Sequence, residues 1–450
     1  MLTIRNTFLN RAVPNRVKSF IVARWAPPRW APPRWAPPRW APPRWASPCW
    51  ILLFGICSAA DRPNILFLLA DDLGYEMLGS YGGIDAKTPY LDQLAAEGMR
   101  FTRAYGSPVC TPTRMSLYTG LYPTNHNYTG VLPVHRGTRE AVDFNNKFTT
   151  YAQLLRDSGY ATSVTGKWQL ATLEFHPDHI RDAGFDSWCV WQIWRDGAKT
   201  TRYWNPTFNH DGNIREDIVE SFGPDVLADY VIGQMLDASK KDEPFCIQHN
   251  MLLPHEPIIE TPAERKSGEP ASLRRMITYL DSRVGQIVTA VDKLGIAENT
   301  CIIFLGDNGT DIQSTRKTTA GTVRGGKRTL DDGGTHLPLI VRWAGSVPAG
   351  VVADDLVDVT DFFPTFCEIA GVKISDETEM DGVSIAGRLL RGEPTGRAIT
   401  VAGFQKQFSV FDGEWRLGSD GELIDARELP DETSEADTKR PDLQQYFPKP

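Results

Sequence analysis

The sequence predicts an α/β fold: a large mixed, mostly parallel sheet flanked by helices, followed by a small C-terminal antiparallel sheet. Continuous apolar runs at 64–70 and 301–305 are typical of strands buried on both faces of a parallel sheet. Segments with helical periodicity at 151–156 and 273–294 separate such runs. Because the chain has 450 residues and is 41% apolar, it can bury one large α/β core.

Further elements follow from the same patterns. Apolar runs at 245–249 and 337–343 predict two more buried strands. Thr88 and Pro89 offer an N-cap and a first-turn proline to a helix that should stop at Gly98. We therefore expect three parts, which are a leader at 1–60, an α/β domain at 61–396, and a small subdomain with a polar tail at 397–450.

The two ends of the chain differ from its middle. After about residue 397, short aromatic stretches and turn glycines predict a few antiparallel strands, and the polar residues from Pro430 onward predict a loose tail. At the other end, from Arg24, the unit Trp-Ala-Pro-Pro-Arg repeats with a period of five residues. Two prolines per period exclude a helix there.

A nine-residue apolar run, 49–57, follows the repeat and precedes the small residues Ser58, Ala59 and Ala60. This pattern is typical of a signal peptide, and the run is too short to span a bilayer. We predict an exported protein, periplasmic or secreted, with cleavage near Ala60 and no stable membrane span. The alternative is that translation starts downstream and that the repeat is not part of the protein.

Charge and cysteine content narrow the function. The leader holds nine Lys and Arg residues and no Asp or Glu, which leaves 39 basic against 56 acidic side chains. This acidic balance argues against nucleic acid as a partner, and any anionic substrate needs a local basic pocket. Five cysteines follow the leader, so at least one is unpaired or chemically special. Cys246 and Cys301 lie in apolar runs, and no disulfide framework is expected.

Polar side chains follow three predicted strands. Asp71 and Asp72 follow the first run, Asp307 and Asn308 follow another, and His255 lies just beyond a third. The carboxyl ends of strands form the usual ligand site of an open α/β sheet, so these segments are expected to converge. Their hard oxygen ligands favour Ca²⁺ or Mg²⁺ over zinc or copper. Each pair could also be ordinary turn chemistry.

The segment around Cys110 is more specific. Pro112 can open a helix that ends near Gly120, which places Cys110 at a helix N-terminus, where the dipole favours an anion. The pattern Cys-x-Pro-x-Arg from Cys110 to Arg114 resembles the signature of the sulfatase family. The resemblance covers about 62–432 and includes further segments in the family's order: Asp71-Asp72, Gly166-Lys167-Trp168, Pro254-His255-Glu256-Pro257, Gly306-Asp307-Asn308-Gly309, Gly325-Gly326-Lys327 and Leu423-Ile424-Asp425.

The resemblance implies an alkaline phosphatase-like fold and hydrolysis of a sulfate monoester. It implies that a separate maturation enzyme oxidises Cys110 to formylglycine, whose hydrate is the nucleophile. By the same resemblance, residue 110 and four oxygen donors bind Ca²⁺, with Mg²⁺ less expected: Asp71, Asp72, Asp307 and Asn308. Four further side chains would then act on the sulfate, the hydrate or the departing alkoxide: Arg114, Lys167, His255 and Lys327.

Two positions depart from the family pattern. The family usually has histidine where this chain has Gln169, and that histidine is thought to take a proton from the sulfated hydrate. Glutamine cannot act as a base near neutral pH. Either another residue replaces it, with His126 and His176 as candidates, or turnover slows at that step. His336 is the second departure and is either a substrate-side substitution or a structural loop residue.

Substrate selection is predicted in the segment 189–210, where aromatic faces suit sugar rings or aryl groups and Arg195 and Arg202 could meet further sulfates. The alternative is that its aromatic residues are ordinary packing. We prefer a sulfated carbohydrate over an aryl sulfate as the substrate. Three other hypotheses stay open: a phosphonate monoester or phosphodiester hydrolase, a catalytically silent binder of sulfated glycans, and a protein whose Cys110 is never converted.

Overall fold

The computed structural model describes residues 62–215, 217–311, 315–435 and 439–448. The predicted leader, with its repeat, apolar run and cleavage site, lies outside these residues. Within them, no helix has both the length and the hydrophobicity that a membrane crossing requires. Export and the three-part division of the chain remain predictions.

The described residues contain strands and helices in alternation. The strands are β1 (Asn64–Asp71), β2 (Met99–Tyr105), β3 (Ala161–Gly166), β4 (Ser187–Trp191), β5 (Trp194–Arg195), β6 (Ala198–Lys199), β7 (Phe208–His210), β8 (Asn213–Arg215), β9 (Phe245–Pro254), β10 (Thr300–Gly306), β11 (Thr315–Thr318), β12 (Gly321–Arg324), β13 (His336–Arg342), β14 (Val351–Asp358), β15 (Thr400–Phe404), β16 (Gln407–Phe411), β17 (Trp415–Gly418), β18 (Leu423–Glu428) and β19 (Asp431–Ser434). The α-helices are α1 (Pro89–Ala96), α2 (Cys110–Thr119), α3 (Pro123–His126), α4 (Tyr151–Asp157), α5 (His179–Asp182), α6 (Gly223–Lys241), α7 (Pro262–Ser267), α8 (Leu273–Lys293), α9 (Asp332–Thr335), α10 (Phe362–Ile369), α11 (Ala386–Arg391) and α12 (Pro441–Gln444).

Ten strands form the main sheet, in the order β14-β2-β13-β10-β1-β9-β3-β4-β7-β8. The central strands β10, β1, β9, β3 and β4 run parallel, as do β14 and β2. Strand β13 is antiparallel to both of its neighbours, and β7 and β8 form an antiparallel edge. The predicted mixed, mostly parallel sheet is confirmed.

The centre of the sheet is the most apolar part of the chain. Every residue of β1, β9 and β10 is buried, which explains their continuous apolar runs. Helices α1, α6 and α8 pack against one another and the sheet, and α2, α4 and α10 form a second group. Both predicted helix starts are close to the observed ones, at Pro89 and at Cys110. All five described cysteines are free and buried.

The C-terminal residues form an antiparallel sheet of five strands, β15-β16-β17-β18-β19, and share two small apolar clusters with Tyr105, Tyr122 and Leu356 of the preceding part of the chain. The prediction of this sheet is confirmed, but the prediction of a loose tail from Pro430 is partly wrong. Strand β19 pairs with β18, and helix α12 buries Leu443 against the sheet. Four residues of β19 and one buried leucine are too short a pattern to recognise among polar neighbours.

Candidate active site

The two acidic segments meet at the carboxyl ends of β1 and β10. These strands are parallel neighbours, with Ala70 opposite Gly306, so the residues that follow them lie side by side. The Asp72 amide donates to Asp307 Oδ1 at 3.0 Å, and Asn308 Nδ2 donates to Asp72 Oδ1 at 2.9 Å. The predicted convergence on one site therefore occurs, and all of these side chains are buried.

Backbone conformation aims these groups into the site. Asp72 has a φ of 67°, in the left-handed region, which is unusual for a residue other than glycine and is often found at functional sites. At the end of β3, Gly166 has a φ of 94°, and a Cβ there would lie 1.8 Å from the Asn250 carbonyl oxygen. Only glycine fits this close approach, which lets the next amide, that of Lys167, donate to the same oxygen at 2.9 Å.

Cys110 is the first residue of α2 and is buried beside the acidic residues. Its Sγ and one carboxylate oxygen each from Asp71 and Asp307 all lie within 4.8 Å of one another. Burial raises the pKa of the Cys110 thiol, although Lys167 and Lys327 oppose this effect. The unmodified residue is therefore a protonated thiol, which is a poor nucleophile.

Three buried cations match the three carboxylates. Arg114, one turn after Cys110, donates to Asp307 Oδ2 at 2.9 Å and to the Lys167 carbonyl oxygen at 3.0 Å. Lys167 Nζ donates to both carboxylate oxygens of Asp71, each at 2.8 Å, and Lys327 Nζ pairs with Asp72. Although burial alone would raise the pKa of Asp71, these cations and His255 hold it well below its usual range.

The donor set fits a hard divalent cation. Asn308 Oδ1 is buried and has no hydrogen-bond partner within the described residues. A buried acceptor of this kind is normally satisfied, so this oxygen is available to bind a metal ion. Burial and the nearby charge of Asp71 raise the pKa of Asp307 to about 7, which shows how closely the carboxylates are crowded. A bound cation would satisfy the amide oxygen and relieve the crowding. Carboxylate and amide oxygens favour Ca²⁺ or Mg²⁺.

Above Cys110 lies a pocket of about 210 Å³. Seven of its thirteen lining residues are basic and none is acidic: Cys110, Val131, Val134, His135, Lys167, Gln169, Trp191, Ile193, Lys199, Arg202, His255, Lys327 and Arg328. Because the chain as a whole has a formal charge of −8, this concentration of basic groups is local. It is the basic pocket that an anionic substrate requires.

His255 lies at the edge of this pocket. Its Nε2 is 3.6 Å from Asp72 Oδ2, while its Nδ1 is 2.9 Å from Arg202 Nη2 and also 2.9 Å from the Glu256 carbonyl oxygen. Burial lowers the pKa of His255 to about 4, although Asp71 and Asp72 oppose this effect. The hydroxyl of Tyr203 holds the loop by donating to the carbonyl oxygens of Leu252 and His255.

Gln169 lines the pocket with a φ of 52°, so the departure from the family pattern lies within the site itself. The two alternative bases lie elsewhere. His126 is buried against Ser116 and the Tyr128 amide, and His176 contacts the Arg139 carbonyl oxygen. His135, by contrast, is a lining residue.

In the predicted substrate segment, 189–210, some residues line the pocket and others serve packing. Trp191 and Arg202 line the pocket. Trp188 is buried and donates to Asn209, and Trp204 donates to the Glu260 carbonyl oxygen, so these two serve packing. His336 is a structural residue: it is buried, contacts the Thr102 carbonyl oxygen at 2.7 Å and stacks on two tyrosines.

Sequence reasoning missed two basic residues of the pocket, His135 and Arg328, and did not single out Lys199 within the predicted segment 189–210. His135 lies on a short 3-10 turn and Lys199 on a two-residue strand, neither of which leaves a recognisable periodicity. Arg328 directly follows Lys327, which belongs to the recognised motif Gly325-Gly326-Lys327. This position next to the motif is the only feature of the sequence that could have indicated Arg328.

A buried set of carboxylates and cations beneath a basic pocket, at the carboxyl ends of parallel strands, defines an enzyme that acts on an anionic ester. A family model described as Sulfatase matches residues 63–372, which is more than half of the chain. The chain therefore belongs to the sulfatase family and is a sulfatase, an enzyme of sulfate ester hydrolysis.

Individual relatives agree. The chain is 30% identical to N-acetylgalactosamine-6-sulfatase of Sus scrofa over 367 residues, which cover 77% of this chain and 69% of that protein. It is 33% identical to arylsulfatase A of Homo sapiens over 361 residues, covering 74% and 69%. The crystal structure of the PsFucS1 sulfatase from Pseudoalteromonas sp. shares the fold, with a TM-score of 0.67 and 23% identity over 85% of this chain and 83% of that one.

Proposed function

We propose that the protein hydrolyses sulfate monoesters of carbohydrates by means of a formylglycine at residue 110 and a bound calcium ion. The observation that carries the proposal is the position of Cys110. It begins α2 at the base of a basic pocket, and its Sγ lies within reach of Asp71 and Asp307. The raised pKa of its thiol supports a modified residue as the nucleophile, because the thiol itself would stay protonated.

The metal would be held by residue 110 and four buried oxygen donors: Asp71, Asp72, Asp307 and Asn308. The unpartnered Oδ1 of Asn308 supports this set. When bound, Ca²⁺ would draw negative charge from the sulfate oxygens. We prefer Ca²⁺ to Mg²⁺ because four protein oxygens on two rigid strand ends suit the more flexible coordination of calcium.

The chain's own residues divide the reaction between them. Arg114 and Lys167 hold the hydrate of residue 110 and the charge that develops beside it. One hydrate hydroxyl would lose its proton to solvent or to a neighbouring carboxylate as its oxygen bonds to sulfur and the ester S–O bond breaks. His255 with Lys327 would pass a proton to the departing alkoxide, so that one proton is released and one is taken up. Loss of one such contact to developing charge costs about 3 kcal/mol of transition-state stabilisation.

The second step returns the aldehyde. A base removes the proton of the remaining hydroxyl, the C–O bond to sulfate breaks, and sulfate leaves; water then hydrates the aldehyde again. Gln169 occupies the position of the family's histidine and cannot take this proton. His135, which also lines the pocket, is the candidate base in its place.

A carbohydrate is the preferred substrate class. The aromatic face of Trp191 lines the pocket, as suits a sugar ring, and the relative from Sus scrofa is named for a sulfated sugar. An aryl sulfate is the second choice, supported by the name of the relative from Homo sapiens. We further propose that the protein is exported, that a maturation enzyme converts residue 110, and that 61–396 forms the catalytic domain.

The replacement of the histidine by Gln169 also favours a second function, a catalytically silent binder of sulfated glycans. Two measurements separate the candidates. Mass spectrometry of the peptide that contains residue 110 should show an aldehyde, and the protein should release sulfate from sulfated sugars faster than it cleaves phosphodiesters or phosphonate monoesters. Cys110→Ala should lose turnover with its fold intact. Binding without product would favour the binder, and an intact thiol would contradict the formylglycine mechanism.

A further inference from the structure

Arg328 has an unusual backbone conformation at the edge of the pocket. Its φ is 75°, and among the ten described non-glycine residues with positive φ it is the only basic one. The left-handed region is sterically disfavoured for a long side chain, and it persists only where the surroundings enforce it. Such positions are concentrated at functional sites.

Hydrogen bonds enforce the conformation. The Arg328 amide donates to the Pro108 carbonyl oxygen at 2.9 Å, and the Thr329 amide donates to the Gly326 carbonyl oxygen at 2.8 Å. Pro108 lies two residues before Cys110, so the loop that carries Arg328 is fastened to the loop that carries the nucleophile. The backbone of Arg328 is thereby fixed beside the reacting centre, and the residue lines the pocket.

The side chain of Arg328 is exposed and has no carboxylate partner within the part of the chain that the structure describes. The inner cations differ: Arg114, Lys167 and Lys327 are each paired with an aspartate. Lys199, also on the lining, contacts the Trp191 ring, with its Nζ 5.7 Å from the centroid. Burial, Arg202 and Lys167 lower the pKa of Lys199, which shows that positive charge is crowded there.

The basic side chains of the pocket differ in what they bind. The inner cations and the proposed metal serve the ester sulfate and the aspartates. On the rest of the lining, Arg202 contacts His255 and Lys199 contacts the Trp191 ring, so Arg328 is the one arginine or lysine of the described lining whose side chain remains without a partner. A guanidinium group presents a fork of donors that matches sulfate or carboxylate oxygens.

We propose that Arg328 is a specificity-determining residue that binds a second anionic group of the substrate. The proposal rests on the proposed sulfatase function and refines its substrate class. The preferred substrate is a sulfated sugar that carries another sulfate, or a carboxylate, on the same ring or on the ring next to it.

A neighbouring cavity restricts where this second anion can bind. Arg328 also lines a cavity of about 320 Å³ between its own loop and the strands β16 and β17. That cavity contains Asp331, Asp420 and Glu422, while its one other arginine, Arg416, is paired with Glu432. The acidic groups of this cavity would repel a sulfate bound inside it. On this proposal the second anion is therefore bound at Arg328 itself, and any sugar that extends into the cavity is uncharged.

The test compares a singly charged substrate, 4-nitrophenyl sulfate, with two doubly charged ones, a disulfated monosaccharide and a sulfated disaccharide that contains a uronic acid. Arg328→Asn removes the charge while keeping a residue that tolerates positive φ. Arg328→Lys keeps the charge and loses the fork. Lys406→Gln, at an exposed position that does not line the pocket, is the matched control.

Arg328→Asn should lower the ratio of kcat/KM on doubly charged over singly charged substrate by about tenfold, mainly through KM, and the effect should shrink at high salt. Arg328→Lys should restore part of the ratio, and Lys406→Gln should leave it unchanged. Loss on the disulfated sugar alone identifies sulfate as the second anion, and loss on the uronate alone identifies carboxylate. A ratio within twofold of the wild type on both substrates overturns the proposal.

The same comparison separates this proposal from the proposed function. If the wild type turns over no sulfate ester, the sulfatase mechanism fails. Calorimetric affinities for the two kinds of sulfated ligand then replace kcat/KM, and the Arg328→Asn variant should still lose preference for the doubly charged one. Equal affinity of that variant and the wild type for the doubly charged ligands overturns the proposal in that case.

Discussion

Lys167 Nζ donates to both carboxylate oxygens of Asp71 at 2.8 Å, and both side chains are almost completely buried. The pair joins the end of β3 to the end of β1 across β9. A buried pair of this kind contributes little net stability compared with apolar residues, yet removing one partner leaves an uncompensated charge. The site is therefore sensitive to the loss of either member.

Lys167→Met should lower the free energy of unfolding by about 3 kcal/mol in the presence of a chelator, because Asp71 would stay buried without its nearest cation and with Arg114, at 3.7 Å, as its remaining ion-pair partner. Urea denaturation monitored by tryptophan fluorescence measures this. Lys406→Met, at an exposed position, is the control and should change stability by no more than about 0.5 kcal/mol. A loss below about 1 kcal/mol for Lys167→Met would show that the pair is not needed to compensate Asp71.

Removal of the metal should expose the role of Asn308. If calcium binds here, its addition should stabilise the folded state by about 2.7 kcal/mol at one hundred times its dissociation constant, with a corresponding rise in Tm. Asn308→Leu should abolish most of this rise, because the unpartnered Oδ1 is lost. Calorimetric scans with calcium and with chelator measure both effects.

Asn213→Leu, on the exposed edge strand β8, is the matched control and should keep the full response to calcium. An equal response in Asn308→Leu and the wild type would remove Asn308 from the set of ligands. The same scans with Mg²⁺ would show which ion the site prefers.

Much of this site could be predicted from local pattern. The runs that became β1 and β10 are buried throughout, and such runs are visible in the sequence, so Asp71 and Asp307 could be placed at neighbouring strand ends. Pro112 and Gly120 likewise delimit α2 and put Cys110 at its start. In these cases the signal lies within about ten residues of the feature.

The remainder depends on contacts between distant parts of the chain. Arg328 is fixed by Pro108, which is 220 residues away in the sequence, and no local pattern encodes that hydrogen bond. His135 reaches the pocket from an irregular segment with one short 3-10 turn. Strand β14 carries three aspartates without a regular alternation and was not predicted, because its pairing with β2 is decided by tertiary packing.

The base for the second half-reaction can be located by exchange of residues. Gln169→His should raise steady-state turnover if release of sulfate is limiting, because an imidazole near the hydrate can take the proton that an amide cannot. The measurement is kcat together with a burst of alcohol release, which should be large in the wild type and small in the variant. An unchanged kcat and burst would show that another step governs the rate.

His135→Gln tests whether the histidine on the lining already serves as that base. The variant should lower kcat by about tenfold to a hundredfold, as loss of a general base does, and Gln169→His should restore turnover in the double variant. His176→Gln, outside the pocket, is the control. Full activity in His135→Gln would exclude this role, and restoration by Gln169→His is the result that a merely structural effect would not produce.

Acid stability should depend on His179, which supports the tryptophan beside the catalytic lysine. Its Nδ1 accepts from Trp168 Nε1 at 3.0 Å, and its Nε2 lies 2.7 Å from the Val142 carbonyl oxygen, to which it donates. A second ring proton would face the indole N–H. Burial lowers the pKa of His179 to about 4, although the hydrogen bond to the Val142 carbonyl oxygen opposes this effect; His176 also lowers the pKa, and Asp143 raises it.

The unfolded chain takes up this proton near pH 6.5, whereas the folded protein does so only near pH 4. Stability is therefore lost as the pH falls from about 6.5 towards 4, by roughly 2 kcal/mol between pH 7 and 4.5. His179→Gln can make the same two hydrogen bonds without titrating, so its free energy of unfolding should fall by about 2 kcal/mol less over that range. Urea denaturation at the two pH values gives the difference, and His210→Gln, at the end of strand β7, should follow the wild type. If His179→Gln lost as much stability as the wild type, protonation of His179 could not be a cause of acid unfolding.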